Sequence, residues 1–589
     1  MHKRVFSLIL CLALVLSAFV GCSSGKNDND DEVDELEERI EELEELLKEK
    51  NASEDIKELK EELAEYLDEL SNLDEDDEEY EELLEKIEAI EVELEKADKE
   101  ENTNATIAET ISTTIAETFT EDVFVEGYPI AEDKPVFKDD FGGAEFRILT
   151  AGQTNGGACN DFGFEQENPE ATYLDKAQYK RILDVEKAYN VDIIQDTKEG
   201  YSSASTGKPG PGYNLICDHV ASGTDMYDLC LIAGYDVSQL ATQGFLYNMG
   251  MIPGVDLTKS YWDQNAIEDL SIAGLTFFTT GEITVSDNNA VNCIIFNKDL
   301  AKEYKIENPY DLVNNNEWTI EKFAELAKKV SEDLNSDGEM GSEDRYGLLV
   351  WDDSITVIPS AAGQRCATIN EKGEIELTLF NEATLNALDA YADIAYDTVY
   401  ALQYQRYHNS GSGFELFTNN QGLFMPVLVG NLISQHYRYL ENDFGILPYP
   451  KLTASQKDYY TTISPFNSQF ICVPLVVENI NMVGTVTEAL AYYGEKDVSP
   501  AYFDVTLMGK TCRDAESCDM LDIVFDNVIY DIGYYYQIGE YNKQLIMCLR
   551  DYDSMWATMY DKKLSMAQSQ LDGINSSYAN IASLWSGQK

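Results

Sequence analysis

Residues 291–347 read VNCIIFNKDLAKEYKIENPYDLVNNNEWTIEKFAELAKKVSEDLNSDGEMGSEDRYG, and the reading of this stretch decides the fold. Val291 to Phe296 is a nearly continuous apolar run, the pattern of a strand covered on both faces. Asn297-Lys298-Asp299 ends it, and a helix follows through Tyr304. Pro309 and three asparagines, Asn314 to Asn316, predict a turn. Thr319 caps a second helix, whose apolar positions Phe323, Leu326, Ala327 and Val330 follow the 3.6-residue period.

The polar loop that follows has the spacing of a calcium loop. Asp333, Asn335, Asp337, the backbone of Glu339, a water near Gly341 and Asp344 occupy alternating ligand positions, with Gly338 at the sharp turn. Asp344 stands where the usual loop has a bidentate Glu. Oxygen-only ligands suit a hard cation, so a structural Ca2+ that stiffens the loop is expected, and no organic cofactor.

Outward from this stretch, strands and helices alternate. Phe146 to Thr150 is a first strand, Tyr173 to Tyr189 an amphipathic helix and Val191 to Ile194 a second strand. Ser202 to Gly212 reads as loop, Asp228 to Ala233 as a buried strand and Ser238 to Phe245 as a helix. Strands at Phe277 to Thr280 and Tyr346 to Val350 continue the theme. Beyond Leu377 the chain reads as helical until Phe444 to Leu447 and Phe470 to Val473. Such alternation implies right-handed βαβ units.

The run IIFNKDLAKEYKIENPYDL, the Trp318-Thr319 helix start and the later FGILPYPK (Phe444 to Lys451) occur in an order that resembles extracellular solute-binding proteins of ABC importers. In particular they resemble the family that includes maltose-type sugar receptors. The resemblance covers roughly Phe146 onward. It implies an α/β, two-lobed periplasmic-binding-protein-like fold with a hinge, over 135–589. Lobe one is expected over about 135–298 plus parts of 455–589. Lobe two is expected over about 299–455 plus C-terminal helices.

The first 134 residues read differently. His2-Lys3-Arg4, an apolar run from Val5 to Val20 and Gly21-Cys22-Ser-Ser-Gly resemble a bacterial lipoprotein signal. Cleavage after residue 21 and lipidation of Cys22 are the implication, followed by a flexible segment over 22–30. Residues 31–100 carry 34 acids and 8 bases, with apolar residues at three- and four-residue spacing in runs such as Val33, Leu36, Ile40, Leu43, Leu47. We read an acidic helical or coiled-coil stalk, folded as a hairpin or as an imperfect coiled coil. A Thr-rich linker spans 101–134, with TIAET repeated at Thr106 and Thr114.

Net charge sets aside one class of partner. Among 589 residues, 42 bases against 109 acids give −67, which repels nucleic acid. The nine cysteines beyond the leader include no CxxC pair; Cys512 and Cys518 are near in sequence, but buried free thiols are the expectation. Past the leader there are three histidines, no HExxH and no GxSxG, and the stretch from Gly200 to Lys208 lacks phosphate-loop spacing. No enzyme is expected.

The resemblance places the ligand residues in loops after the strands, where aromatic faces and planar polar groups meet a sugar. On lobe one these are Gln153, Asn155 and Asp161, then Tyr235 and Asp236, then Asp287, Asn288 and Asn289 in the crossover. On lobe two they are Trp351-Asp352-Asp353, Asn431, Phe466 and Asn467. Ile232 stands where some sugar receptors of the family carry an aromatic. Two functions follow as expectations. One is a lipid-anchored receptor at the extracellular face, delivering a carbohydrate or oligosaccharide to ABC permease subunits. The alternative is a surface adhesion or structural lipoprotein whose two-lobed domain does not transport.

Overall fold

The computed structural model describes residues 139–589, apart from 153–160, 164–171, 199–208, 407–412, 435–436, 438–439, 441, 510 and 587–589. The leader, Cys22, the acidic stalk, the whole linker, Gln153 and Asn155 lie outside the described residues.

Two mixed sheets organise the chain. Sheet one holds β1 (Ala144–Ala151), β2 (Val191–Lys198), β3 (Leu229–Ala233) and β4 (Phe278–Thr279), joined late by β14 (Gln469–Cys472), in the order β2-β1-β3-β14-β4. β1 is parallel to both β2 and β3, whereas β14 runs antiparallel between β3 and β4. Sheet two holds β5 (Asn292–Asn297), β7 (Arg345–Val350), β10 (Ala401–Gln403), β11 (Gly422–Leu428) and β12 (Phe444–Leu447), in the order β10-β7-β11-β5-β12, with a two-residue β6 (Ser331–Glu332) beside β7. All six residues of β5 and all five of β3 are buried, because helices cover both sheet faces. The two-lobed α/β expectation is met, with one shift of boundary. β5 belongs to sheet two, so the crossover lies before Asn292 and not at residue 298.

Local chemistry explains the elements. Helix α1 (Tyr173–Tyr189) begins where Thr172 and Asp175 cap each other reciprocally, and ends at Asn190 in the left-handed region at φ 53°. Asn297 both closes β5 and caps the next helix, accepting from Leu300 N at 2.9 Å. Thr319 accepts from Lys322 N at 3.2 Å and opens α4 (Ile320–Ala327) as expected. A Cβ on Gly347 would lie 1.9 Å from the Ala327 carbonyl oxygen, so only glycine lets β7 pass this close to α4.

Three readings are corrected. Pro309 starts a short helix, Pro309–Asn314, where its missing N–H costs nothing, and the turn falls later at Asn316. Pro211 likewise opens helix α2 (Pro211–Ser222) inside a segment read as loop. The stretch 378–443, read as helical, contains β10 and β11, and β11 is a central strand of sheet two.

The chain passes between the sheets through two adjacent crossovers. One precedes β5; the other leaves β12 and returns to β14. They pair with each other through an antiparallel bridge between Val291 and Ile463, and Ser464 N donates to Ala290 O at 2.9 Å.

Candidate functional site

The crossovers form the floor of a small cleft. Asn292, the first residue of β5, faces it from one crossover, and Ser464, Pro465 and Phe466 face it from the other. Tyr235 enters from the first turn of α3 (Gly234–Thr242), directly after β3. Trp351, Asp353 and Thr356 enter from the segment after β7. Tyr534 comes from a C-terminal turn, and Asn542 and Ile546 from α5 (Tyr541–Asp551), which packs on that same segment. Residues of both sheets, both crossovers and the C-terminal helices therefore converge on one space.

The wall is held by hydrogen bonds within the protein. Asn542 Nδ2 donates to the Tyr235 hydroxyl at 2.9 Å, and Asn292 Nδ2 to Thr462 O at 2.8 Å. The Tyr534 hydroxyl donates to Thr356 O at 3.0 Å, and Thr356 Oγ1 to Asp353 O at 2.7 Å. Burial pushes the phenols of Tyr235 and Tyr534 up, so both stay neutral donors.

Two neighbouring carboxylates have different surroundings. Asp352, 3% exposed, accepts from Gln405 Nε2 at 2.7 Å and pairs with the Arg550 guanidinium, while its own N–H donates to Gln405 Oε1. Asp353 is half-buried and lines the cleft. Burial first, and the Asp352 charge second, push its carboxyl well above the usual range, against a smaller opposing pull from Arg550.

Of the sequence-predicted ligand residues, the cleft unites Tyr235, Trp351, Asp353 and Phe466. The others hold the frame. Asp161 accepts from Gln178 Nε2 (2.8 Å), Thr284 Oγ1 (2.5 Å) and Val285 N (2.9 Å), fastening the first-strand loop to the crossover. Asp236 takes the Gly210 N–H on both oxygens, at 3.2 and 3.0 Å, and so caps α2; it sits in a helical turn and not in a loop. Asp287 is 3% exposed and its carboxyl is driven strongly towards the neutral form, mainly by burial. Asn288 is half-buried and does not line the cleft, and Asn289 Oδ1 accepts from the Tyr502 hydroxyl at 2.9 Å. Asn431 Oδ1 accepts from Leu428 N at 3.0 Å, capping its own helix, and Asn467 donates to Ser464 Oγ at 3.1 Å beneath Phe466. Asp352 stands one residue from the cleft, behind Asp353. Asn292, Tyr534 and Asn542 were missed. Asn292 hides in an apolar strand, and the other two lie over 240 residues along the chain from it, with no local motif.

The polar loop after α4 folds around its own backbone. Asp333 accepts from Ser336 N and Gly338 N at 2.7 and 2.8 Å, Asn335 from Asp337 N at 2.9 Å and Asp337 from Glu339 N at 2.8 Å. Asp344, fully buried, accepts from Leu334 N and Gly341 N at 2.9 and 2.7 Å. Gly338 takes φ 85°, as the sharp turn requires. The available donors are oxygens alone, the set a calcium ion takes. Among the described residues no three His, Cys, Asp or Glu side chains converge at metal-holding distance.

The eight described cysteines, Cys512 and Cys518 among them, are all free thiols.

No family model and no curated protein matches this chain. Solved structures with a similar trace include an ABC substrate-binding protein of Listeria monocytogenes in complex with cycloalternan, at 14% identity and a TM-score of 0.46, covering 74% of this chain and 99% of that one. Another is an ABC transporter solute-binding protein of Agrobacterium radiobacter in complex with ribitol, at 12% identity and a TM-score of 0.46, covering 73% and 100%. A third, from Thermotoga lettingae and bound with α-D-tagatose, has 14% identity and a TM-score of 0.44, covering 74% and 100%.

Proposed function

We propose that residues 135–589 are the substrate-binding module of an ABC importer, capturing a carbohydrate or oligosaccharide by closure of two lobes. One observation carries this reading: the cleft has one wall from each sheet and a floor made of the paired crossovers. Rotation about Ala290–Asn292 and Ile463–Ser464 would bring Tyr235 and Trp351 together on one ligand. Aromatic faces take the C–H surface of a sugar ring, and hydroxyl and carboxylate groups at the rim take its hydroxyls. Lipid on Cys22 would hold the protein to the extracellular face of the membrane, with the acidic stalk as spacer and permease subunits as partners. Ca2+ in the 333–344 loop would stiffen the edge of lobe two.

A saccharide panel in thermal denaturation tests the reading. A ligand at one hundred times its Kd stabilises the folded state by about 2.7 kcal/mol. At least one saccharide should raise the melting temperature in a concentration-dependent way, and that gain should disappear in a Tyr235→Ala, Trp351→Ala double variant. Stabilisation that survives the double variant would place the ligand elsewhere and refute the cleft.

A further inference from the structure

We propose that Cys512 and Cys518 are a redox-active thiol pair, which closes to a disulfide by exchange with a small disulfide such as oxidised glutathione. The inference concerns the frame of lobe two and does not depend on what the cleft binds. The pair sits where the chain passes by helices from sheet one to sheet two. Helix Ile480–Tyr493 packs in the core of sheet one through Val483, Val486 and Leu490. Helix Ala515–Asp526 packs on β12, where Ser517 Oγ accepts from Ile446 N at 3.2 Å. Between them, Arg513 and Asp514 fasten the chain to lobe two. Arg513 donates to Tyr437 O, Leu440 O and Asn442 O, while Asp514 pairs with Lys298 and caps Ala515–Asp526 by accepting from Ser517 N. Cys512 and Cys518 flank that anchor, and their thiols meet in a side-chain hydrogen bond.

Access separates this pair from the other described cysteines. Cys512 and Cys518 are both half-buried, Cys512 with one side against the core and Cys518 in the first turn of its helix. Cys230 and Cys472 also meet, as register partners on β3 and β14, but both are 0% exposed, so a disulfide reagent cannot reach them in the folded protein. Cys217 is half-buried and has no thiol beside it among the described residues, so its product is at most a mixed disulfide. The order of attack follows from the surroundings. Burial first, and Cys518 second, keep the Cys512 thiol protonated. Cys518 therefore attacks first. Its thiolate bonds to one sulfur of the small disulfide, and the other sulfur leaves with the electron pair as a thiolate. Capping Cys518 removes its hold on Cys512, which then loses its proton and attacks the Cys518 sulfur, expelling the second small thiolate. Two cysteine thiols are oxidised, one small disulfide is reduced to two thiols, and the two protons pass from the cysteines to the leaving thiolates. The bridge closes a ring across the Asp514 cap and gives up only the weak bond that Cys518 Sγ donates to Asp514 O at 3.5 Å. The extracellular face proposed above is a compartment in which such bridges persist.

Peptide mapping of the intact, folded protein after incubation with oxidised glutathione at pH 8 tests this. Trypsin cuts after Arg513, between the two cysteines, so a bridge joins two peptides that otherwise separate. The digest should contain the Cys512–Cys518 link, and dithiothreitol should abolish it. Cys230 and Cys472 should stay reduced, which also reports that the fold is intact. In Cys512→Ser, Cys518 should keep one glutathione, because no thiol is left to expel it. Glutathione retained on Cys518 in the parent protein, or both thiols remaining reduced, would overturn the pair. A Cys230–Cys472 link formed under the same conditions would overturn access as the property that selects it.

Discussion

Trp351 and Trp318 make a matched test of which ring works on ligand and which works on the fold. Trp318 is 0% exposed, its indole Nε1 donates to Pro448 O at 2.9 Å, and its ring meets Phe323 edge-on at 5.7 Å. Truncation to Ala should cost the unliganded protein about 3–5 kcal/mol, from lost burial, an emptied cavity and an orphaned carbonyl. Trp351 is half-buried, with one face in the cleft and the other against the core. Its truncation removes less buried area and leaves a space open to water, so we expect about 1 kcal/mol of lost stability. Stacking on a bound ring contributes about 1–3 kcal/mol, which corresponds to a rise in Kd of about fivefold to 150-fold. Urea unfolding without ligand gives the first quantity, and calorimetry with a saccharide that raises the melting temperature gives the second. If Trp351→Ala loses as much stability as Trp318→Ala while Kd stays at the parent value, Trp351 is core and the cleft assignment fails.

The unliganded protein should become less stable as pH rises from 5 to 8. Burial raises the carboxyls of Glu282 and Asp531, to about 7 and about 6; both are therefore protonated more readily when folded than when unfolded, and stability present at low pH is lost as pH climbs through those values. Glu282→Gln should flatten that slope by about 1–3 kcal/mol in urea unfolding, and an unaltered slope would contradict the assignment. Chelation should lower the melting temperature in proportion to the calcium withdrawn, and Asp333→Ala should abolish the effect; identical melting curves with and without chelator would remove calcium from the loop. Cys22→Ala should release the protein into the medium, which membrane fractionation reads directly; a variant as firmly sedimented as the parent would exclude the lipid anchor.

What was legible in the sequence was whatever local periodicity could carry. β5, with six buried residues in a row, and α4, with its Thr319 cap, were read almost to the residue. β11 was not, although it lies at the centre of sheet two. Its Pro426 argues against a central strand, and only the fold reveals that β7 pairs no farther along it than Phe424. The cleft divides in the same way. Tyr235 and Trp351 follow strands, where aromatic residues stand out, and Phe466 stands in the second crossover. Asn431 and Asp236 also follow strands, yet their oxygens cap helices, a use that looks the same in sequence as ligand binding. Tyr534 and Asn542 reach the cleft only because the C-terminal helices pack across the lobes.

The place of β14 in sheet one sets the order in which the molecule can be completed. Sheet two draws all its strands from one contiguous span, Asn292 to Leu447. Sheet one spans residues 144–279, but between β3 and β4 it needs a strand that is synthesised about 190 residues later. Until Gln469–Cys472 arrives, β3 and β4 have no common neighbour and each keeps an unpaired edge. The half of the protein that comes first in the chain is therefore the last to close, and the strand that closes it follows directly from the segment bearing Phe466. A chain cut short between residues 448 and 460 would lack both the strand that joins β3 to β4 and the crossover that carries Ser464, Pro465 and Phe466.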